Sequence, residues 1–235
     1  VAAAGVPVGV VAGLAVVMLV PAATCFAKVL VVGYILRAGL SGGGWAGAGT
    51  VLPAAVLHSA AAVLTLLVMR PVAAETWAAA AADRDRWAAV DWADRNAVGE
   101  LSVRLAEPLR RFLFRNTREA DRAHLAGLSA RMAERRAEGR PEAEAAAEAV
   151  AAPGEESLEV LLPAFLASEL RRAFRIGVLV CLPFLIVDLL AAAALAALGA
   201  PMMPPTAVSL PLKLLLFTAA DGWPMLMRGL LLAYR

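Results

Sequence analysis

The chain has 235 residues, 61% of them hydrophobic, with mean hydropathy +0.71 and a formal net charge of +2. A soluble domain is about 45–50% apolar, so the composition points to a membrane or membrane-complex protein and away from a cytosolic enzyme. So small a net charge offers no footprint for nucleic acid.

Ala, Leu and Val dominate and aromatic residues make up only 6%, which favours helices over strands and predicts an all-α chain. The two cysteines, Cys25 and Cys181, both lie in apolar stretches. They read as small core residues rather than a disulfide framework. The chain begins at Val1 rather than Met, compatible with a removed leader.

The first apolar segment runs over 6–27 with no charge, 22 residues in all. That is enough for a helix to cross a hydrocarbon core of about 30 Å. Lys28 interrupts the run, and 29–36 continues it up to Arg37. The reading is one long helix or a helical hairpin bent near Pro21, with a retained signal peptide over 6–21 as the competing reading. The glycine-rich run 39–49 reads as a flexible connection. It is not a phosphate-binding loop, because no Gly-Lys-Ser/Thr follows it and no strand precedes it. The second segment, 50–69, carries His58 as its one titratable group, read as bonding a backbone carbonyl rather than relaying protons. Arg70 and Pro71 are expected to stop it.

Residues 70–175 differ in kind, holding 18 of the 20 acids and 17 of the 22 basic residues. The near balance predicts solvated helices. Trp77, Trp87 and Trp92 suit either an interfacial belt or the core of a small helical region. Leu101, Leu105, Leu109, Phe112 and Leu113 form one apolar helical face, with Pro108 as a candidate kink. Leu125, Leu128 and Met132 continue an apolar stripe. Ordinary helix packing is preferred for both over a helix lying on a membrane. The Ala/Glu-rich stretch 134–153 reads as a surface insertion without chemistry.

The third segment, 176–198, is interrupted only by Pro183 and Asp188. The run 199–205, Gly-Ala-Pro-Met-Met-Pro-Pro, cannot be continuous helix and forms a hinge. The fourth segment runs from 206 to about 234 with Lys213, Asp221 and Arg228 at intervals. The expected organisation is therefore about four long apolar helices. They fall into an N-terminal hairpin (1–69), a charged helical middle (70–160) and a C-terminal hairpin with a Pro/Met hinge (161–235). Basic flanks would place 70–175 on the inner side, but long domains cross largely regardless of charge, so orientation is undecided.

Catalysis finds no support. No Cys/His set has metal-ligand spacing, the two histidines lie far apart, and no nucleotide or nucleophile motif is present. No catalytic residue, cofactor or metal is expected. What stands out is charge inside apolar segments, Asp188 and Lys213, which is expensive and belongs in a bundle, on a pathway or against a partner. Lys213 is flanked by Leu212, Leu214, Leu215 and Leu216, where an unpaired ammonium costs several kcal/mol. One reading is a small ion or solute transporter with Asp188 and Lys213 as coupling charges. It lacks the internal repeat expected of such proteins, since the first two segments show no convincing similarity to the last two.

The stretch 161–223 resembles the C-terminal half of the FliP/SctR family (YscR/SpaP-like), the export-gate inner-membrane proteins of flagellar and injectisome type III secretion systems. The resemblance rests on Leu-Pro-Ala-Phe (162–165), Ser-Glu-Leu (168–170) and Ala-Phe-Arg-Ile-Gly (173–177). It continues in Leu-Pro-Phe-Leu-Ile-Val-Asp (182–188), Pro-Pro (204–205), Ser-Leu-Pro-Leu-Lys-Leu-Leu-Leu-Phe (209–217) and Asp-Gly-Trp (221–223). The run 108–121 is a second match, and 24–28, 36–37 and 68–72 are weaker ones.

The resemblance implies a non-enzymatic, multi-pass protein of the bacterial inner membrane. It implies a ring of copies, pentameric in the family, joined by two smaller export-gate membrane proteins and a larger one. The core complex would project to the periplasmic side, and unfolded secreted substrates would pass through its centre. A flagellar and an injectisome system remain equally open. The resemblance also implies an intersubunit charge cluster of Arg118, Glu169 and Lys213, the alternative for Glu169 being a local pair with Arg172. It implies a methionine seal of the pore at Met202 and Met203, where thioethers can close a pore and yield to a passing chain. The chain departs from the family pattern at Ala200 and Pro201, which replace methionines. The family's N-terminal Pro-Pro-Asn connection is absent, and 134–153 is longer.

Overall fold

The computed structural model describes residues 8–41, 52–83, 85–86, 95–137, 154–200 and 202–234. Trp87, Trp92, Pro201, most of the glycine-rich run and most of the Ala/Glu stretch lie outside them. Among the described residues the order is α1 (Val8–Leu40), α2 (Ala54–Ala82), α3 (Arg95–Asn116), α4 (Glu119–Ala137), α5 (Leu158–Ala197), α6 (Thr206–Ala219) and α7 (Gly222–Leu231). The all-α expectation holds. The chain divides into two compact units, one of residues 1–24 and 69–169, the other of 25–68 and 170–235.

Of the two readings of the first segment, the single long helix holds: α1 includes Pro21. Three local expectations are corrected. α2 runs through Pro71 instead of stopping there. Proline removes one backbone donor, but Met69, Val72, Thr76 and Ala80 are all buried. Those positions form one helical face, so packing on both sides of Pro71 outweighs the lost bond. The third segment begins far earlier than residue 176, because α5 is 40 residues long, about 60 Å at 1.5 Å per residue. The fourth segment is two helices, α6 and α7. Three helices, over Met18–Leu40, Ala54–Ala82 and Leu158–Ala197, are therefore long and apolar enough to cross a membrane.

In the unit of residues 25–68 and 170–235, the core holds Val32, Leu36, Leu57, Phe184, Phe217 and Leu226 among others. Between apolar helices in lipid, close backbone approach matters more than hydrophobic burial. A Cβ built on Gly177 would lie 2.5 Å from Ile35 Cδ1, and one on Gly39 2.9 Å from Cys181 Sγ. Glycine at these two positions lets α1 and α5 meet. His58 Nδ1 lies 2.7 Å from the Ala54 carbonyl oxygen, as expected, but the side chain is exposed rather than in the core.

The unit of residues 1–24 and 69–169 buries Leu105, Leu109 and Leu113 completely or nearly so, the apolar face expected of α3. Phe112 meets Phe165 of α5 edge-on, with ring centres 5.8 Å apart. The expected stripe on α4 faces inward only in part: Leu125 is half-buried, but Leu128 and Met132 are exposed, while Ala133 is buried and Ala126, Ser129 and Ala130 are half-buried. Small side chains line most of the less exposed face, so apolar periodicity is a poor guide to the packed side of α4. Trp77 is also exposed. On α3, Arg110 donates to the Glu107 carboxylate at 2.8 and 3.1 Å and holds that carboxyl below its usual range.

The α3–α4 corner is closed by Arg122. Its guanidinium donates to the carbonyls of Phe114 at 3.1 Å and Thr117 at 2.8 Å, and it sits 4.1 Å from the centre of the Phe114 ring. These carbonyls belong to the end of α3, where backbone acceptors lack intrahelical donors and a cation is favourable. Arg122→Ala is expected to destabilise this unit by about 2 kcal/mol, read as a lower unfolding midpoint by circular dichroism. Arg122→Lys should recover only part of it, because an ammonium cannot reproduce the planar fork.

Candidate functional site

Lys213 sits in the middle of α6 and is fully buried. Its ammonium donates to Asp188 Oδ2 at 2.6 Å and to the Gly39 carbonyl at 2.7 Å. Each partner has a reason to be there. Gly39 lies in the last turn of α1, whose final carbonyls have no helical donor and attract a cation. With no side chain of its own, Gly39 lets α5 come close enough for Asp188 to share the ammonium. The three groups come from three helices and tie the end of α1 to α5 and α6. The pair answers the question posed by two isolated charges in apolar segments: they neutralise each other within one chain.

The hinge is built by local chemistry. Just past the end of α5, Gly199 lies in the left-handed region at φ 73°. The Ala200 N–H donates to the Leu195 carbonyl at 3.0 Å and the Gly199 N–H to the Ala196 carbonyl at 3.1 Å, the paired bonds of a Schellman stop. Met202 and Met203 follow in a turn, 96% and 49% exposed, the first nearly bare. α6 then starts after Pro205.

α6 and α7 are separated by Asp221, also left-handed at φ 48°. Gly222 follows, buried under the Phe217 ring, and Trp223 meets that ring edge-on at 5.6 Å. The Asp-Gly-Trp run is thus a turn whose glycine makes room for an aromatic ring.

The remaining members of the expected charge cluster lie in the other unit. Arg118, between α3 and α4, is exposed. Its N–H donates to Ser168 Oγ at 3.2 Å, and Ser168 donates to the buried Asp121 carboxylate at 2.7 Å. Glu169, the next residue on α5, is fully buried. Sequence reasoning singled out Asp188 without pairing it to Lys213, and it gave no contact role to Gly39, Ser168, Asp121 or Gly222. Only Asp188 carried a usable signal, since two opposite charges in apolar spans tend to pair with each other.

Three such long apolar helices among the described residues, with a fully buried lysine, Lys213, paired across helices, have the make-up of a polytopic membrane protein. The particular family follows from comparison: the pattern of the FliP family matches residues 10–230, and the chain belongs to that family. It is 35% identical to the probable translocation protein y4yL of Sinorhizobium fredii over 93% of this chain and 88% of the relative. It is 37% identical to the flagellar biosynthetic protein FliP of Pectobacterium carotovorum over 88% of this chain and 69% of the relative. It is 32% identical to the harpin secretion protein HrcR of Erwinia amylovora over 92% of this chain and 89% of the relative.

Proposed function

We propose that the chain is a core, non-enzymatic subunit of a type III protein export gate in the bacterial inner membrane, conducting unfolded secreted proteins through a ring of its own copies. Membership of the FliP family and relatives named for translocation, flagellar biosynthesis and harpin secretion support an export role. The observation that carries the reading furthest is the bare apolar face of α5. Leu182, Leu185, Ile186, Leu189 and Leu190 are 46–71% exposed, far more than a folded chain leaves to water, so lipid or other subunits cover them. A pentamer, the two smaller and one larger export-gate proteins, and projection of the core toward the periplasm are part of this proposal. The transporter alternative is not favoured, because Asp188 and Lys213 are engaged with each other.

In this reading Met202 and Met203 from each copy meet to seal the closed pore. Their exposure on a short turn between two helix stops suits a flexible apolar gasket. Replacing both by Ala is expected to raise small-ion conductance across membranes containing the assembled complex, measured electrically. Unchanged conductance would count against a seal. Of the charge cluster, Arg118 is exposed and can reach a neighbouring copy directly. Lys213 and Glu169 are buried and act by holding the shape that assembles. The export role itself is tested by deleting the gene and assaying secreted proteins in the medium. Export should stop and return on complementation; continued export contradicts the role.

A further inference from the structure

The residues after α7 return to α1 and α5, and we propose that 232–234 form a strap that closes the unit of residues 25–68 and 170–235. Two contacts to other helices and two local backbone bonds carry this. The Lys28 ammonium of α1 lies 4.1 Å from the centre of the Tyr234 ring, the geometry of a cation–π contact. Arg172 of α5 donates to the Ala233 carbonyl at 3.3 Å. The Leu232 N–H donates back to the Arg228 carbonyl at 2.9 Å and the Tyr234 N–H to the Leu231 carbonyl at 3.2 Å, so the strap leaves α7 as a defined turn.

Beneath Tyr234 is a small cavity lined by Cys25, Lys28, Leu64, Thr65 and Leu230, among others. Lys28 and Cys25 are each 1% exposed. Lys28 is thus a buried cation whose cover on one side is an aromatic ring near the far end of the chain. Held down, the strap joins α1, α5 and α7. Released, it uncovers a cation and a thiol on a seam between α1, α2 and α7. The device is independent of the export role, since it concerns contacts within one chain.

Cys25 is a native reporter of strap opening. In full-length protein in mild detergent, with Cys181→Ala removing the other thiol, Cys25 should react slowly with a small maleimide. Tyr234→Ala is expected to raise that rate at least tenfold, while Tyr234→Phe, which keeps the ring, stays within about twofold. Arg172→Ala, which removes the bond to the Ala233 carbonyl, should give an intermediate rise. It serves as the deciding variant if Tyr234→Ala loses its helical circular dichroism. A folded Tyr234→Ala, or failing that a folded Arg172→Ala, that labels at the parent rate overturns the strap.

Discussion

Lys213→Ala is expected to abolish accumulation of the assembled complex. The change removes the ammonium from the half-buried Asp188 carboxylate, and the Gly39 carbonyl also loses its donor. Removing one partner of a buried ion pair costs about 3–5 kcal/mol, much of the stability of an ordinary domain. The double variant Lys213→Met, Asp188→Leu separates two roles. Replacing both charges by apolar groups of similar size is often neutral, so the folded chain should return. If its complex also returns, the pair acts by shaping the chain. If the chain folds but no complex forms, Lys213 contributes to contacts between copies. Yield on native gels reads assembly, and detergent-resistant helicity reads folding. Normal complex yield from the single variant contradicts the account.

Gly222→Ala has the second largest expected effect. A Cβ there would lie 2.2 and 2.3 Å from two carbons of the Phe217 ring. The ring has little room to retreat, with Phe184 at 6.3 Å on one side and Trp223 at 5.6 Å on another. Overpacking of this kind costs about 1–3 kcal/mol, and a clash with a boxed aromatic belongs at the upper end. The expected readout is a lower thermal unfolding midpoint in detergent. Gly222→Ala combined with Phe217→Leu should recover part of the loss by giving the new methyl space. Asp221→Gly should be neutral or mildly stabilising, because it relieves a left-handed backbone. A midpoint for Gly222→Ala equal to the parent contradicts the packing argument.

Much of the fold was legible because apolar helices announce themselves by composition. The helical class, the long first segment and the hinge at 199–205 follow from Ala/Leu/Val content and from glycine and proline placement. The helix ends were harder. An apolar start at 176 misses the beginning of the helix: α5 runs through Arg171, Arg172 and Arg175, because arginines on its exposed or half-buried faces do not interrupt a backbone. The break between α6 and α7 lies in an apolar run whose hydropathy hardly changes. Its cause is a single left-handed residue beside a glycine. Arg70-Pro71 misled in the other direction, since tertiary packing overrides one missing donor.

The site was legible in part for similar reasons. Lys213 stood out as a cation among leucines, and its need for a partner followed from the cost of burial. The partner's identity depended on how α5 and α6 fold back across the hinge, which residue spacing does not encode. Gly39 carried no signal at all, because its contribution is a backbone carbonyl at a helix end. The stripe on α4 failed at Leu128 and Met132 because alanine and serine line most of the less exposed face.

The proposal that copies of this chain assemble with companion subunits into one export gate is tested most directly by native mass spectrometry. The sample is the chain expressed with its neighbouring export genes and extracted in mild detergent. The account predicts one large particle containing several copies of this chain together with smaller helical proteins. A mass corresponding to a single chain or a simple dimer, from protein that retains its helicity, would contradict it.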